Sequence, residues 1–448
     1  MQDSKRGNQG KAGLPGRSGG MRLAAALALL PLVPSASALE VHEWGTFTTL
    51  NASSGNGLSG LFVDATRLPA FVHGLPYFNY DPVSGWSSPD KLRNVTVKME
   101  TPVLYFYADK RTDVDVKVKF RGGTISQWYP QCYDCEGNPA APYVDFAEGP
   151  YAGHIGWKAT VLPPGSNLPY TTTALGGETP EWTAPRNTQA NQLRGQNGEI
   201  EKFLFYRGLG NFPSAVALSF LPDGTLCVAN RGGEDIPYLM IYDLPPGPFI
   251  PAADIRFQGP VKAGQEIKVA RDRTNPNDYR TASEAMETFR KALVDAGLTD
   301  SESRALLNTW YNGYFIEAGL KAFWIVPRAQ VDRILPLEIA PMPDKLVRVI
   351  VGRSEILTRE FEQELYRARD RDSVEAKYKA DKYYLAYRDF LDQDGERHVV
   401  TSLGRGTRGA QGTGPQGFAG RSFPGGWASP WFARPGGPVD ARGRAIGP

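Results

Sequence analysis

Five charged residues stand at the ends of apolar runs, and they are the residues best placed to do chemistry. Glu43 follows closely on Val41, and Glu100 precedes Thr101-Pro102-Val103-Leu104-Tyr105. Arg207 closes Phe203-Leu204-Phe205-Tyr206, Arg328 closes Trp324-Ile325-Val326-Pro327, and Arg353 closes Val349-Ile350-Val351-Gly352. A charge beside a buried strand needs a partner, because an isolated buried ion costs several kcal/mol. Two arrangements meet that need. In the first, the arginines line a polar cleft at one end of the sheets, grip a carboxylate, sulfate or phosphate, and leave a glutamate as base. It gives catalytic roles to Glu43, Glu100 and Arg207, and ligand contacts to His42, Arg328 and Arg353. In the second, Glu43 and Glu100 pair with the arginines as internal struts. The strut is the plainer expectation.

Histidine and cysteine supply the other candidates. The four histidines are His42, His73, His154 and His398. Imidazole and carboxylate together bind zinc and related ions. Here the spacings match no zinc motif, H-E-x-x-H is absent, and neighbours such as His42 and Glu43 on a strand face opposite ways. No metal or other cofactor is expected. Cys132 and Cys135 form a lone C-x-x-C between Pro130 and Pro139, a loop composition unlike the helix N-terminus that stabilises a redox-active thiolate. A local disulfide clamping that loop is expected, with Cys227 a buried thiol. No His follows Cys135, which excludes covalent haem attachment. The nucleophile elbow, the P-loop and the dinucleotide-binding glycine pattern are also absent. Trp86, Trp128, Tyr129, Tyr133 and Trp182 are of the type that stacks on sugars, although such rings more often fill a β-rich core.

Short strands must position these residues. Val41–Leu50, Val103–Tyr107 and Val114–Phe120 are rich in β-formers, and the last alternates valines with charges at a period of two. Gly122-Gly123 then leads into Thr124–Tyr129, which predicts a hairpin with the preceding strand. Further short runs follow at 157–162, 202–206, 215–220, 226–229, 238–242 and 266–270. From residue 281 the pattern turns helical. Thr281 with Glu284 and Thr299 with Glu302 have capping-box spacing, and Gly297 stops the first helix. Strands at 323–326 and 347–351 precede a charged helix over about 359–391, broken near Asp372-Ser373. The expected fold is therefore α+β and mostly β, with a β-sandwich or barrel-like part over 41–270 and a mixed helix/strand part over 280–400. As domains, this gives a β-rich unit at 39–275 with a mixed α/β portion, 276–401, packed on it.

The two ends of the chain differ from this body. From Met21, a natural start, Arg22 precedes an apolar stretch over Leu23–Val33 and the small-residue site Ala36-Ser37-Ala38. That order predicts a secretory signal, preceded by a polar extension over 1–20 and cleaved near Ala38-Leu39, with the mature protein in the periplasm or outside the cell. The apolar stretch is shorter than the ~20 residues of a membrane-spanning helix, and no later run reaches that length. Residues 402–448 are rich in Gly, Pro and Arg and poor in aliphatics, a composition expected to remain disordered. The formal charge of the whole chain is +2, but both ends are basic, so the body over 39–401 is net acidic. An acidic body repels phosphate backbones, so nucleic acid is not an expected partner.

The strings Val41-His-Glu-Trp-Gly-Thr-Phe-Thr48, Lys98-Met-Glu-Thr-Pro-Val-Leu-Tyr-Phe-Tyr107, Phe203-Leu-Phe-Tyr-Arg-Gly208 and Val347-Arg-Val-Ile-Val-Gly-Arg353 resemble a group of secreted bacterial proteins of unassigned activity. The resemblance spans roughly 41–365 and implies export and one integrated architecture; it carries over no catalytic residue. Together these features lead to an extracytoplasmic binding or structural protein for an envelope glycan or a small anionic ligand. The alternatives are a hydrolase using Glu43, Glu100, His42 and Arg207, and an interaction protein acting through its tail.

Overall fold

The computed structural model describes residues 38–63, 68–75, 92–135, 144–148, 151–174, 178–245, 253–270, 279–368 and 371–393. Residues 1–37, which hold most of the expected signal, and the tail 402–448 lie outside the described residues, as do Trp86 and His398. Strand and helix account for 42% and 24% of the structure, so the chain is α+β and mostly β.

The elements that frame the site are ten strands of one mixed sheet: β1 (Leu39–Asn51), β2 (Val97–Met99), β3 (Val103–Ala108), β4 (Thr112–Arg121), β5 (Gly123–Tyr129), β6 (Ala152–Val161), β7 (Leu204–Gly210), β8 (Ile236–Leu244), β9 (Gly319–Ile325) and β10 (Lys345–Ile356). β1 is central. It pairs in parallel with β10 along almost its whole length and antiparallel with β2 and β3 on its other side. Beyond β10 come β9 and then β8, both antiparallel. Beyond β2 and β3 comes β7, followed by β5. The parts on either side of residue 276 therefore share one sheet.

β4 shows the predicted alternation, with Val114, Val116, Val118 and Phe120 buried and the charged residues between them outward. The expected hairpin with β5 does not form. β4 pairs instead with β6, and β5 with β7. Glycine is the physical reason. Gly122 takes a left-handed turn at φ +82° and its carbonyl accepts from Asn211 N, while the Phe120 ring lies against Gly123, Gly208 and Gly210. A Cβ on Gly123 would meet that ring at 2.4 Å, so only glycine lets the chain fold over Phe120 and pass to β7.

Both faces of the sheet are covered. Leu104, Phe106 and Tyr206 pack with β4 and β6 in one apolar core, whereas Trp44, Val103, Phe203, Phe205 and Val351 pack in another. The second core is closed by a four-residue helix α1 (Pro180–Thr183) and by α2 (Ala282–Asp295) and α3 (Asp300–Thr309). Both predicted capping boxes are present at Thr281 and Thr299, and α2 gives way to Gly297 at φ +114°. Later come α4 (Arg328–Ile334), α5 (Arg359–Ala368) and α6 (Arg371–Tyr378), with further helix over 384–393.

Candidate functional site

Strand parity decides which of the predicted residues meet. In the parallel β1–β10 pair, Glu43 lies opposite Arg348 and Thr48 opposite Arg353. Five residues separate the members of each strand, so the two pairs point to opposite faces of the sheet. On β7, Tyr206 goes with the Glu43 face and Arg207 with the Arg353 face.

On the first face, Glu43 is a strut. It is 0% exposed, accepts from Arg348 Nε at 2.6 Å and from the Tyr206 hydroxyl at 2.7 Å, and has no route to water. Arg348 also binds Asp332 of α4 at 2.8 Å. Glu43 therefore takes the strut arrangement and stands apart from Glu100 and Arg207. His42 points to the other face: its Nδ1 lies 3.0 Å from both carboxylate oxygens of Glu302, which also accepts from the Tyr107 hydroxyl at 2.7 Å. Burial raises the Glu302 pKa, but these contacts outweigh it and hold the carboxyl below its ordinary range. Arg328 does not end a strand at a cleft. It opens α4, half exposed, and pairs with Asp332 one turn on at 2.8 Å.

On the second face, Glu100, Arg207 and Arg353 do converge. They line one cavity of about 100 Å³ together with Lys98, Glu317 and Lys382. Trp182, Phe203, Phe205 and Trp310 line the same cavity. Lys98 reaches in from β2, with Nζ 2.8 Å from the Val63 carbonyl and 3.9 Å from Glu100. Glu100 accepts from the Thr48 hydroxyl at 3.0 Å, and Arg207 Nε donates to the Glu100 carbonyl at 3.0 Å. Trp310 is fixed by its indole N–H on the Thr101 hydroxyl at 3.0 Å.

Arg353 is 2% exposed and lines the cavity. Its Nη2 binds Glu355 and lies 3.4 Å from Glu317, which also pairs with Lys382, and the guanidinium sits 5.5 Å from the Tyr314 ring centre. Among the described residues its Nε is buried with no hydrogen-bond partner. Burial pushes the Glu317 carboxyl up, but Lys382, Arg353 and Lys321 pull harder, to about 2. Across the cavity, Lys98, Arg207, Arg353 and Lys382 outnumber Glu100, Glu181 and Glu317. The arrangement can hold an anion beside its cations and a flat or apolar group against the rings.

Sequence reasoning missed Lys98, Glu317 and Lys382. One signal was available: Glu317 and Lys321 flank Gly319 at the mouth of β9, charges beside an apolar strand like those already singled out. Of the sugar-stacking candidates, Trp182 lines the cavity, whereas Trp128 and Tyr129 are core residues at 6% and 0% exposure. Tyr133 binds Asp115 at 2.9 Å beside the Cys132–Cys135 disulfide, whose loop pairs with β6. Cys227 is a buried free thiol. His73 and His154 bind Glu199 at 3.1 Å and Asp134 at 3.3 Å. Among the described residues no group of three or more His, Cys, Asp and Glu side chains could hold a metal ion. No protein-family model and no curated protein matches this chain, so the chemistry of the cavity rests on its own geometry.

Proposed function

We propose that this is an extracytoplasmic binding protein whose cavity takes a small anionic ligand carrying a ring, an acidic sugar of an envelope glycan being the class that fits. Arg353 carries the reading: a cation only 2% exposed lines a cavity that Trp182, Phe203, Phe205 and Trp310 also line. The rings supply apolar contact, and the surplus of cations selects against neutral analogues. Titration of the protein with D-glucuronate and D-glucose, followed by tryptophan fluorescence, tests this. Saturable binding of the acid, at least tenfold weaker for the neutral sugar (about 1.4 kcal/mol) and lost in Arg353→Met, is expected. Equal response to both sugars defeats the proposal.

Export fits the start of the fold. Ala38 is exposed and Leu39 buried, and the Leu39 main-chain nitrogen donates to Asp344 Oδ2 at 2.8 Å. Cleavage after Ala38 would turn that contact into an ammonium–carboxylate pair, which is stronger than the amide version. The Cys132–Cys135 disulfide suits an oxidising compartment, and among the described residues no helix is long and apolar enough to cross a membrane. N-terminal sequencing of exported protein is expected to begin at Leu39; a sequence beginning at Met1 or Met21 refutes export by this signal.

A further inference from the structure

Lys321 lies in the middle of β9 and is 0% exposed. Its acceptors are not carboxylates but two main-chain carbonyls, those of Tyr314 at 3.4 Å and of Glu317. Tyr314 is the middle residue of a short π-helical segment, Asn312–Ile316, and Glu317 is the residue that ends it. That segment supplies Asn312, Gly313 and Glu317 to the cavity. A π-helical turn is a rare conformation that recurs at functional sites, and its free carbonyls need donors. Here Lys321 provides them.

We propose that Lys321 is a proton-operated latch for the cavity: its ammonium grips the carbonyls of Tyr314 and Glu317, and loss of its proton loosens the wall that these residues carry. The inference rests on the binding reading given above. The groups facing Lys321 come from every side. β10 contributes Glu355 and Arg353, β8 contributes Tyr242, the π-helical segment and its C-cap contribute Tyr314 and Glu317, Lys382 adds a further cation, and Tyr383 donates to Glu355. Glu317 and Glu355 are held below the ordinary carboxylate range, despite burial, by Arg353 and the neighbouring lysines, so both stay charged near neutrality. Burial drives the Lys321 amine down to about 7, against the pull of Glu355 and with the help of Arg353. Below that pH the ammonium makes charge-assisted bonds, which are roughly twice as strong as those of the neutral amine. Above it the bonds weaken, and one positive charge behind Arg353 is lost.

Backbone hydrogen exchange of the unliganded protein tests the latch without any ligand. After correction for intrinsic rates, protection of the amides of Tyr314 and Glu317 is expected to fall about tenfold between about pH 6 and about pH 9. In Lys321→Arg, which stays charged, protection should be constant over that range; in Lys321→Met it should be low throughout. If the Met variant fails to fold, the Arg variant decides alone. Constant protection in the natural protein, or the same fall in Lys321→Arg, overturns the latch. The affinity for D-glucuronate should fall over the same range in the natural protein and stay level in Lys321→Arg. Binding that ignores pH overturns the latch and leaves the cavity reading standing. Absence of binding at every pH removes the cavity reading, while the exchange result still decides the latch.

Discussion

Removal of the Glu43 carboxylate would leave Arg348 Nε without an acceptor in a place closed to water, with Asp332 alone still holding Nη1. Breaking a buried ion pair from one side costs about 3–5 kcal/mol. Glu43→Ala is therefore expected to lower the unfolding free energy by that amount in urea titrations, and a loss under about 1 kcal/mol would refute the strut. Glu100 predicts the opposite pattern. Its side chain faces the cavity and takes the Thr48 hydroxyl, a contact that glutamine preserves. Glu100→Gln should leave stability nearly unchanged and tighten D-glucuronate binding, because the cavity gains net positive charge; weaker binding would count against the anionic assignment. The types of these residues were legible in the sequence, since charge beside an apolar run always requires an answer. Their division between strut and cavity was not. It depends on the parallel register of β1 with β10, which sets Glu43 against Arg348 and Thr48 against Arg353 across some 300 residues of chain.

At the scale of elements, local chemistry was readable where it is self-contained. The Thr281 and Thr299 caps need only residues three positions apart, and both formed as capping boxes. They differ in what else they hold. Glu284 of the first box meets only its own helix start at an exposed site, so Thr281→Ala should cost about 1 kcal/mol. Glu302 of the second box also secures His42 and Tyr107 and is fully buried. Thr299→Ala should therefore lower the melting temperature by more than Thr281→Ala does, and equal shifts would show that the His42–Glu302–Tyr107 cluster holds itself. The β4–β5 hairpin failed because its outcome depends on distant glycines, Gly208 and Gly210, which clear a path beside Phe120. The π-helical turn after α3 left no mark in the pattern either, because its donor, Lys321, arrives from the following strand.

For the whole molecule, the order of strands decides what can fold. β1 lies between β3 and β10, and β8 needs β9, so strands from beyond residue 276 complete the hydrogen bonding of strands from before it. Beyond that residue α2 and α3 add to the cover that α1 already gives the apolar face of Trp44, Val103 and Phe205. A fragment spanning 39–275 would expose one edge of β1, one edge of β8 and the part of that apolar face that α2 and α3 cover. Open edges and uncovered apolar faces favour association over folding. Such a fragment is expected to lack dispersed amide resonances and near-UV circular dichroism, whereas the chain over 39–393 should unfold in one cooperative step. Its refolding should also be slow, since the β1–β10 ladder closes a very long loop before it contributes anything. A soluble, cooperatively melting 39–275 fragment would show that β10 decorates a body already complete without it. The cavity would then have to be an interface between two units, because Arg353, Glu317 and Lys382 would all lie on the added part.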